Sequence, residues 1–325
     1  MDLQEALEIE KISETRYKGK HCLSKPHPTL PGVYGGNMAA QALLVAIRSS
    51  PKGFTPHSLH SFFLKAGSDQ EVFTWEVDKT SDGRTFCNRI IKGVQSDGVK
   101  YVATISLTKR NSVKGAEDSY REYQEQIKNN KEEIDNLSPV AKPFGFGRPY
   151  PKWLSKYDPD SLPVHPRVDN RQIVHKLPPE MTDLELTAKE EEGMPFSERQ
   201  LSFFVKWGKK DNNELPNLEE FRVPGLAVLS DSLFLTRLAR LLRIPDLDHT
   251  NIRHYFSVSL DHIMYFHDVD YDPTKWMGFS FNAMRLSNNR VLLEGEMYND
   301  KGQHVVSIIQ EGLVKFDGLE NKAKL

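Results

Sequence analysis

Three polar residues stand in apolar stretches of the C-terminal third of the chain. Asp231 lies in Leu229-Ser230-Asp231-Ser232-Leu233-Phe234-Leu235, which reads as a helix opening. Ser259 lies in Ser257-Val258-Ser259-Leu260-Asp261-His262-Ile263-Met264-Tyr265-Phe266-His267, an apolar and aromatic run that reads as one buried strand. Gln310 lies in Val305-Val306-Ser307-Ile308-Ile309-Gln310-Glu311-Gly312, a second strand. A carboxylate can take a proton from water as a general base. Ser and Gln are not bases at neutral pH, but both can hold a water by hydrogen bonds. On the residues alone, an Asp at a helix start is more often a cap, and a Ser in a strand is usually just packed. Gln310 is harder to dismiss, because a buried amide needs partners. Strand alternation puts Gln310 with Val306, Ile308 and Gly312, and Ser259 with Asp261, Ile263 and Tyr265.

Other chemistries find no support. There is no Gly-x-Ser-x-Gly elbow. Gly93 to Gly98 has the spacing of a phosphate loop, but Val99 stands where Lys is required. Gly145 and Gly147 lack the third glycine of a dinucleotide loop. His57 and His60, and His262 and His267, sit at odd separations and face opposite sides of their strands, so they do not group as metal ligands. His60 is a candidate to line a pocket, with a core or surface role equally open.

The chain has 325 residues, 27% charged and 38% hydrophobic, with a net charge of −2. That suits a soluble globular protein and gives no general attraction to nucleic acid or anionic membrane. No apolar run approaches the length of a membrane span. Cys22 and Cys87 are the only cysteines, too few for a disulfide framework, and read as reduced thiols. Met1-Asp2-Leu3-Gln4-Glu5 lacks the apolar core of a signal peptide. The terminal Ala323-Lys324-Leu325 resembles the Ser-Lys-Leu peroxisomal address, which predicts a peroxisomal matrix location through the import receptor.

These residues need elements to hold them. Residues 7–20 read as an edge strand. Tyr34 to Ile47 reads as a helix apolar on nearly all faces, hence buried, with Asn37 as its N-cap and Gly35 and Gly36 allowing another backbone to approach. Strands follow at 58–64, 73–77, 86–91 and 101–107, an α+β pattern of helix and antiparallel meander. Residues 119–136 read as a charged helix, and 139–179 as a Pro-rich linker wrapping the surface. The pattern then restarts. Strands are expected at 184–189 and 200–207, a polar loop at 212–223, a buried helix at about 226–243, and strands at 277–286, 290–298 and up to Val314. Ser58 to Phe63 overlays Ser259 to Met264, and Asn37, Ser58 and either Leu107 or Ser106 fall at the positions of Asp231, Ser259 and Gln310. The order points to an internal duplication, 1–110 and 181–325 joined by 111–180, with one altered copy.

With Leu229-Ser230-Asp231, Ser257 to His267, Ser307 to Gly312, Tyr34-Gly35-Gly36, Gln41-Ala42-Leu43 and His57 to Leu64, the sequence resembles acyl-CoA thioesterase II and its peroxisomal relatives. The resemblance covers nearly the whole chain except 111–180. It implies a double hot dog, in which two antiparallel sheets each wrap a long helix. It also implies hydrolysis of acyl-coenzyme A to fatty acid and coenzyme A, with no metal or organic cofactor. The family's Asp, Ser or Thr, and Gln fall on Asp231, Ser259 and Gln310. Gly35 and Gly36 then become candidates for the substrate side, with a backbone N–H there as oxyanion donor, and His60 another. A non-catalytic acyl-CoA-binding or assembly module of the same fold is the alternative; three retained polar residues in one copy favour the hydrolase. A hot-dog hydratase would want a His paired with a carboxylate, which the motifs do not offer. The sequence leaves a homo-oligomer open.

Overall fold

The computed structural model describes residues 3–129, 138–165, 173–208, 215–244 and 256–323. Its first half holds the short helix α1 (Leu3–Leu7), the hairpin β1 (Ile9–Ser13) and β2 (Arg16–Gly19), helix α2 (Gly35–Ser49), and strands β3 (Thr55–Phe63), β4 (Thr74–Asp82), β5 (Phe86–Gln95) and β6 (Gly98–Thr108). Helices α3 (Val113–Asn129) and α4 (Lys152–Ser155) follow. The second half holds β7 (Ile173–Lys176), β8 (Leu201–Trp207), helices α5 (Leu218–Ser230) and α6 (Leu238–Leu241), and strands β9 (Phe256–Ser259), β10 (Asp261–Phe266), β11 (Met277–Ser287), β12 (Arg290–Tyr298) and β13 (His304–Lys315).

All strand pairs are antiparallel, in the order β1-β2-β4-β5-β6-β3-β10-β13-β12-β11-β8-β7, with β9 also on β13. Each half is the expected helix with its meander. The halves meet edge to edge where β3 pairs β10, so the two sheets form one. The helices lie on its inner face and share one apolar core, from Ala39, Leu43 and Trp75 in the first half to Leu226, Phe279 and Ile308 in the second. No helix among the described residues is long and apolar enough to cross a membrane.

Helix α2 is buried on all sides from Gly36 to Ala46, as its composition predicts. Its cap differs from the expectation. Tyr34 occupies the N-cap position without a side-chain cap, and Asn37 is inside the first turn, 2% exposed. The glycine pair is already helical there, because it abuts the end of α5: a Cβ on Gly36 would lie 2.9 Å from the Ala227 carbonyl oxygen and 3.0 Å from that of Val228.

The second-half helix departs further from the sequence reading. It begins at Leu218, capped by the Asn217 side chain, inside the segment read as a polar loop. Glu219, Glu220 and Arg222 belong to its first turns, and Pro224 sits at its middle. It stops at Ser230. A turn with Leu233 at φ 58° separates it from the short 3₁₀ turn Leu235–Arg237 and α6, so the expected single helix is two pieces broken at Asp231.

Four smaller expectations change. Residues 7–20 form a hairpin rather than one strand. Residues 184–189 hold a 3₁₀ turn, Glu185–Thr187, in place of a strand. The charged helix starts at Val113, six residues early, and has no buried residue. Strand β7 lies within the stretch read as linker, yet it pairs β8 and extends the second half's sheet. The part of the charged stretch at 130–136 is outside the described residues, as are Lys324 and Leu325. Ala323 packs against the core. Cys22 is exposed, Cys87 buried, and both are free thiols.

Candidate functional site

Helices α2 and α5 run antiparallel. The start of α2 meets the end of α5, where the Gly36 N–H donates to Asp231 Oδ2 at 3.0 Å. At the other end, Arg48 near the end of α2 binds Glu220 near the start of α5 through two hydrogen bonds, 2.8 and 3.0 Å. Asp231 is therefore the C-cap of its own helix, not the opening residue, and it stands at the N-terminus of the first half's helix instead. The Asp231 carboxylate satisfies a first-turn N–H of α2 that no local side chain caps.

Gln310 comes from β13, on the face that carries Val306, Ile308 and Gly312, all buried as expected. Its Nε2 donates to Asp231 Oδ1 at 3.1 Å and to Ser259 Oγ at 2.5 Å. Ser259 Oγ lies 3.5 Å from Asp231 Oδ1. Three side chains from a helix end and two strands thus meet at one point.

Ser259 reaches that point through an irregularity. The run 257–267 is two strands broken at Leu260. Ser259 pairs Gly312, while Ile263 pairs Ile309, so residues 260–262 face only Gln310 and Glu311. The extra residue is a β-bulge, and bulges re-aim side chains. Unbroken alternation would put Ser259 with Asp261, Ile263 and Tyr265 on the outer face. The bulge turns it to the inner face of His262, Met264 and Phe266.

Burial dominates the electrostatics. It raises the Asp231 carboxyl to about 6, against the smaller lowering effects of hydrogen bonds from Gln310, Gly36 and Ser259. Desolvation outweighs the charge stabilisation that the start of α2 offers. Tyr34 and Tyr101 are raised as well, first by burial and then by the nearby Asp231 charge. Tyr34 donates its hydroxyl to the Val228 carbonyl at 2.9 Å.

The structure brings Gly35 and Gly36 to the trio and leaves His60 apart. A Cβ on Gly35 would come within 2.8 Å of Asp231 Oδ2. The Gly36 N–H is directed at the carboxylate, so it holds Asp231 rather than waiting for an oxyanion. His60 is exposed on the outer face, edge-on to Tyr265, because its neighbours Leu59 and Ser61 take the inner positions of β3. His262, by contrast, drew no role from sequence. It is fully buried, its Nδ1 is 3.3 Å from Gln310 Oε1, and its Nε2 is 2.8 Å from Ser230 Oγ. Its strand parity with Met264 and Phe266 was the available signal.

The antiparallel helices also correct the overlay of the halves. The counterpart of Asp231 falls at the end of α2, near Arg48 and Ser49, rather than at Asn37. There Arg48 is locked between Glu8 and Glu220. Of the two residues considered opposite Gln310, Leu107 faces the core, and Ser106 faces outward to bond His57 at 2.8 Å. Ion pairing and apolar packing occupy the first copy's version of the site.

Residues 23–108 match the acyl-CoA thioesterase N-terminal domain and residues 158–314 the acyl-CoA thioesterase C-terminal domain, together about three quarters of the chain. The chain is 23% identical over 347 residues to peroxisomal acyl-coenzyme A thioester hydrolase 1 of Saccharomyces cerevisiae, covering 97% of this chain and 95% of that one. It is 23% identical over 320 residues to acyl-coenzyme A thioesterase 8 of Homo sapiens, covering 98% and 90%. Its fold is similar to that of an acyl-CoA thioesterase II from Mycobacterium marinum, with TM-score 0.65, 20% identity and 97% of each chain covered. A tesB protein from Mycobacterium avium gives TM-score 0.66 at 19% identity, over 95% and 96% of the two chains. The double hot dog is thus shared along its full length. With its two halves matched in order by the two domains of one family, the chain belongs to the acyl-CoA thioesterase family.

Proposed function

We propose that the protein hydrolyses acyl-coenzyme A to a fatty acid and free coenzyme A, using a water activated by Asp231 and oriented by Ser259 and Gln310. The observation that carries this is the meeting of the three side chains at one buried point. Asp231 takes a proton from the water as its oxygen bonds to the thioester carbonyl carbon. Collapse of the tetrahedral species breaks the C–S bond, and the departing sulfur takes the proton Asp231 holds. A carboxyl near 6 is ionised at neutral pH and is a stronger base than an ordinary Asp. Ser259 and Gln310 fix the water's direction, and the Gly36 N–H fixes the carboxylate. The first copy, 1–110, supplies that glycine and the wall beside it, 181–325 supplies the trio, and the stretch between them connects the copies and adds β7 to the second one's sheet. One active site per chain follows.

The Ala323-Lys324-Leu325 terminus and the peroxisomal yeast relative support a place in the peroxisomal matrix. The direct test mixes the protein with palmitoyl-CoA and a thiol-trapping dye. Thiol release is expected from the parent, with Asp231→Asn and Gln310→Ala each slowed by roughly 10²-fold or more. Asp231→Asn turning over at the parent rate would refute the mechanism.

A further inference from the structure

We propose that His262 is a positioning residue that selects which end of the Gln310 carboxamide faces Asp231, an inference that rests on the roles given above to Asp231, Ser259 and Gln310. A carboxamide has a donor end and an acceptor end of nearly equal size. Only the donor end suits this site. Turned the other way, Gln310 would aim an oxygen at the Asp231 carboxylate, and Ser259 could bond it only by giving up its own donation to Asp231. The stem of Gln310 does not distinguish the two orientations, so its polar neighbours must: Asp231 on the near side and a second neighbour on the far side.

That neighbour is His262, directly across the β10–β13 ladder. Its Nδ1 is 3.3 Å from Gln310 Oε1. The imidazole is 0% exposed, and the Ser61 hydroxyl donates to its backbone carbonyl at 2.8 Å. Burial lowers its pKa to about 4, so the ring is neutral and carries a single N–H. The ring's other nitrogen, Nε2, is 2.8 Å from Ser230 Oγ, whose hydroxyl also lies 2.9 Å from the Ala227 carbonyl and 3.4 Å from Met264 Sδ.

Tautomer and amide orientation are therefore coupled. With the proton on Nδ1, His262 donates to Oε1, and Gln310 turns its NH₂ to Asp231 and Ser259. Nε2 then accepts from the Ser230 hydroxyl, which turns its one hydrogen from the Ala227 carbonyl to the ring. With the proton on Nε2, Nδ1 becomes an acceptor and would pull the NH₂ away from the site. The carboxylate and Ser259 both select the first arrangement. The donations run from Ser230 to His262, from His262 to Gln310 and from Gln310 to the Asp231 carboxylate, and the chain closes on itself because Ser230 and Asp231 are adjacent in sequence.

Two substitutions of similar polarity separate this role from mere packing. In His262→Asn the amide sits where Nδ1 was and keeps a donor for Oε1. In His262→Gln the amide sits where Nε2 was and leaves Oε1 without one. The assay is acyl-CoA hydrolysis with kcat and KM measured separately. We expect Asn to keep kcat within a few-fold of the parent, and Gln to lose roughly ten- to a hundredfold with KM little changed. In a Gln310→Ala background, His262→Gln should cost nothing further, since its only route to the reaction is gone. Equal kcat for Asn and Gln, or an undiminished His262→Gln loss in the Gln310→Ala background, would overturn the role of His262 while leaving the trio intact. A fully active Gln310→Ala protein would overturn both.

Discussion

Replacing Asp231 by Asn should inactivate the enzyme and, at pH 8, make it more stable. Burial lifts this carboxyl from an ordinary 3.8 to about 6 in the folded chain. The folded state therefore holds the proton more tightly than the unfolded state does. Below pH 3.8 both states are protonated and the site carries no penalty. As pH rises from 3.8 to 6, the unfolded chain ionises first and stability is lost. Above 6 the whole penalty is present. A difference of roughly two pH units, at about 1.4 kcal/mol each, gives about 3 kcal/mol. Asn keeps an oxygen for the Gly36 N–H and removes the charge, so it should recover much of this. Unfolding entropy near 2.1 cal/mol/K per residue makes 3 kcal/mol worth about 4 °C in Tm for a chain this long. Scanning calorimetry of both proteins at pH 8 and pH 4 tests it. The Asn protein should melt higher at pH 8 and level with the parent at pH 4. An Asn variant that melts lower than the parent at pH 8, or a gap that is the same at both pH values, would sink the burial argument. The same titration predicts that kcat/KM of the parent rises about tenfold per pH unit below 6 and flattens above 7.

Ser259→Thr should retain most activity because the hydroxyl is kept, and Ser259→Ala should lose roughly ten- to a hundredfold in kcat, both read by thiol release. Gly36→Ala presses a methyl onto the Ala227 and Val228 carbonyls, so a loss of about 1–3 kcal/mol by urea melts is expected, together with lower kcat. Ala42→Asp buries a charge in the middle of α2, and the expected outcome is insoluble or strongly destabilised protein, by several kcal/mol in denaturant titration. Deleting Leu325 should leave hydrolysis unchanged and abolish co-sedimentation with peroxisomes; continued co-sedimentation would remove the tail as the address.

Much of this fold is legible in the sequence because its strongest signals are burial signals. The all-round apolar face of α2 and the alternation of β11, β12 and β13 follow from which side chains water excludes. The start of α5 was hidden by the opposite case. Glu219, Glu220, Arg222 and Pro224 carry loop-like polarity on a helix whose other face packs against α2. The site was half legible. Gln310 stood out as an amide among isoleucines, whereas Ser259 needed a bulge that no local residue type demands. Asp231 reads as a helix start although it ends one, because a cap residue reads alike at a start and, when a second helix arrives there, at a finish. His262 is silent in the sequence because its partners are 32 and 48 positions away, and the sequence does not display contacts of that range.

The joint between β3 and β10 sets a timetable for synthesis. The Ser61 hydroxyl and the His262 carbonyl it serves are 201 positions apart. At about 5–20 residues per second, a ribosome takes roughly ten to forty seconds to deliver one after the other. Throughout that interval the finished first half carries β3 as an unpaired edge with Phe62 outward, a template that any other strand can join. Two neighbouring nascent chains can each lend a β10 to the other's β3, giving exchanged dimers whose local pairing is the same as in the monomer. The pace of elongation, as much as the final free energy, then determines how many chains close on themselves.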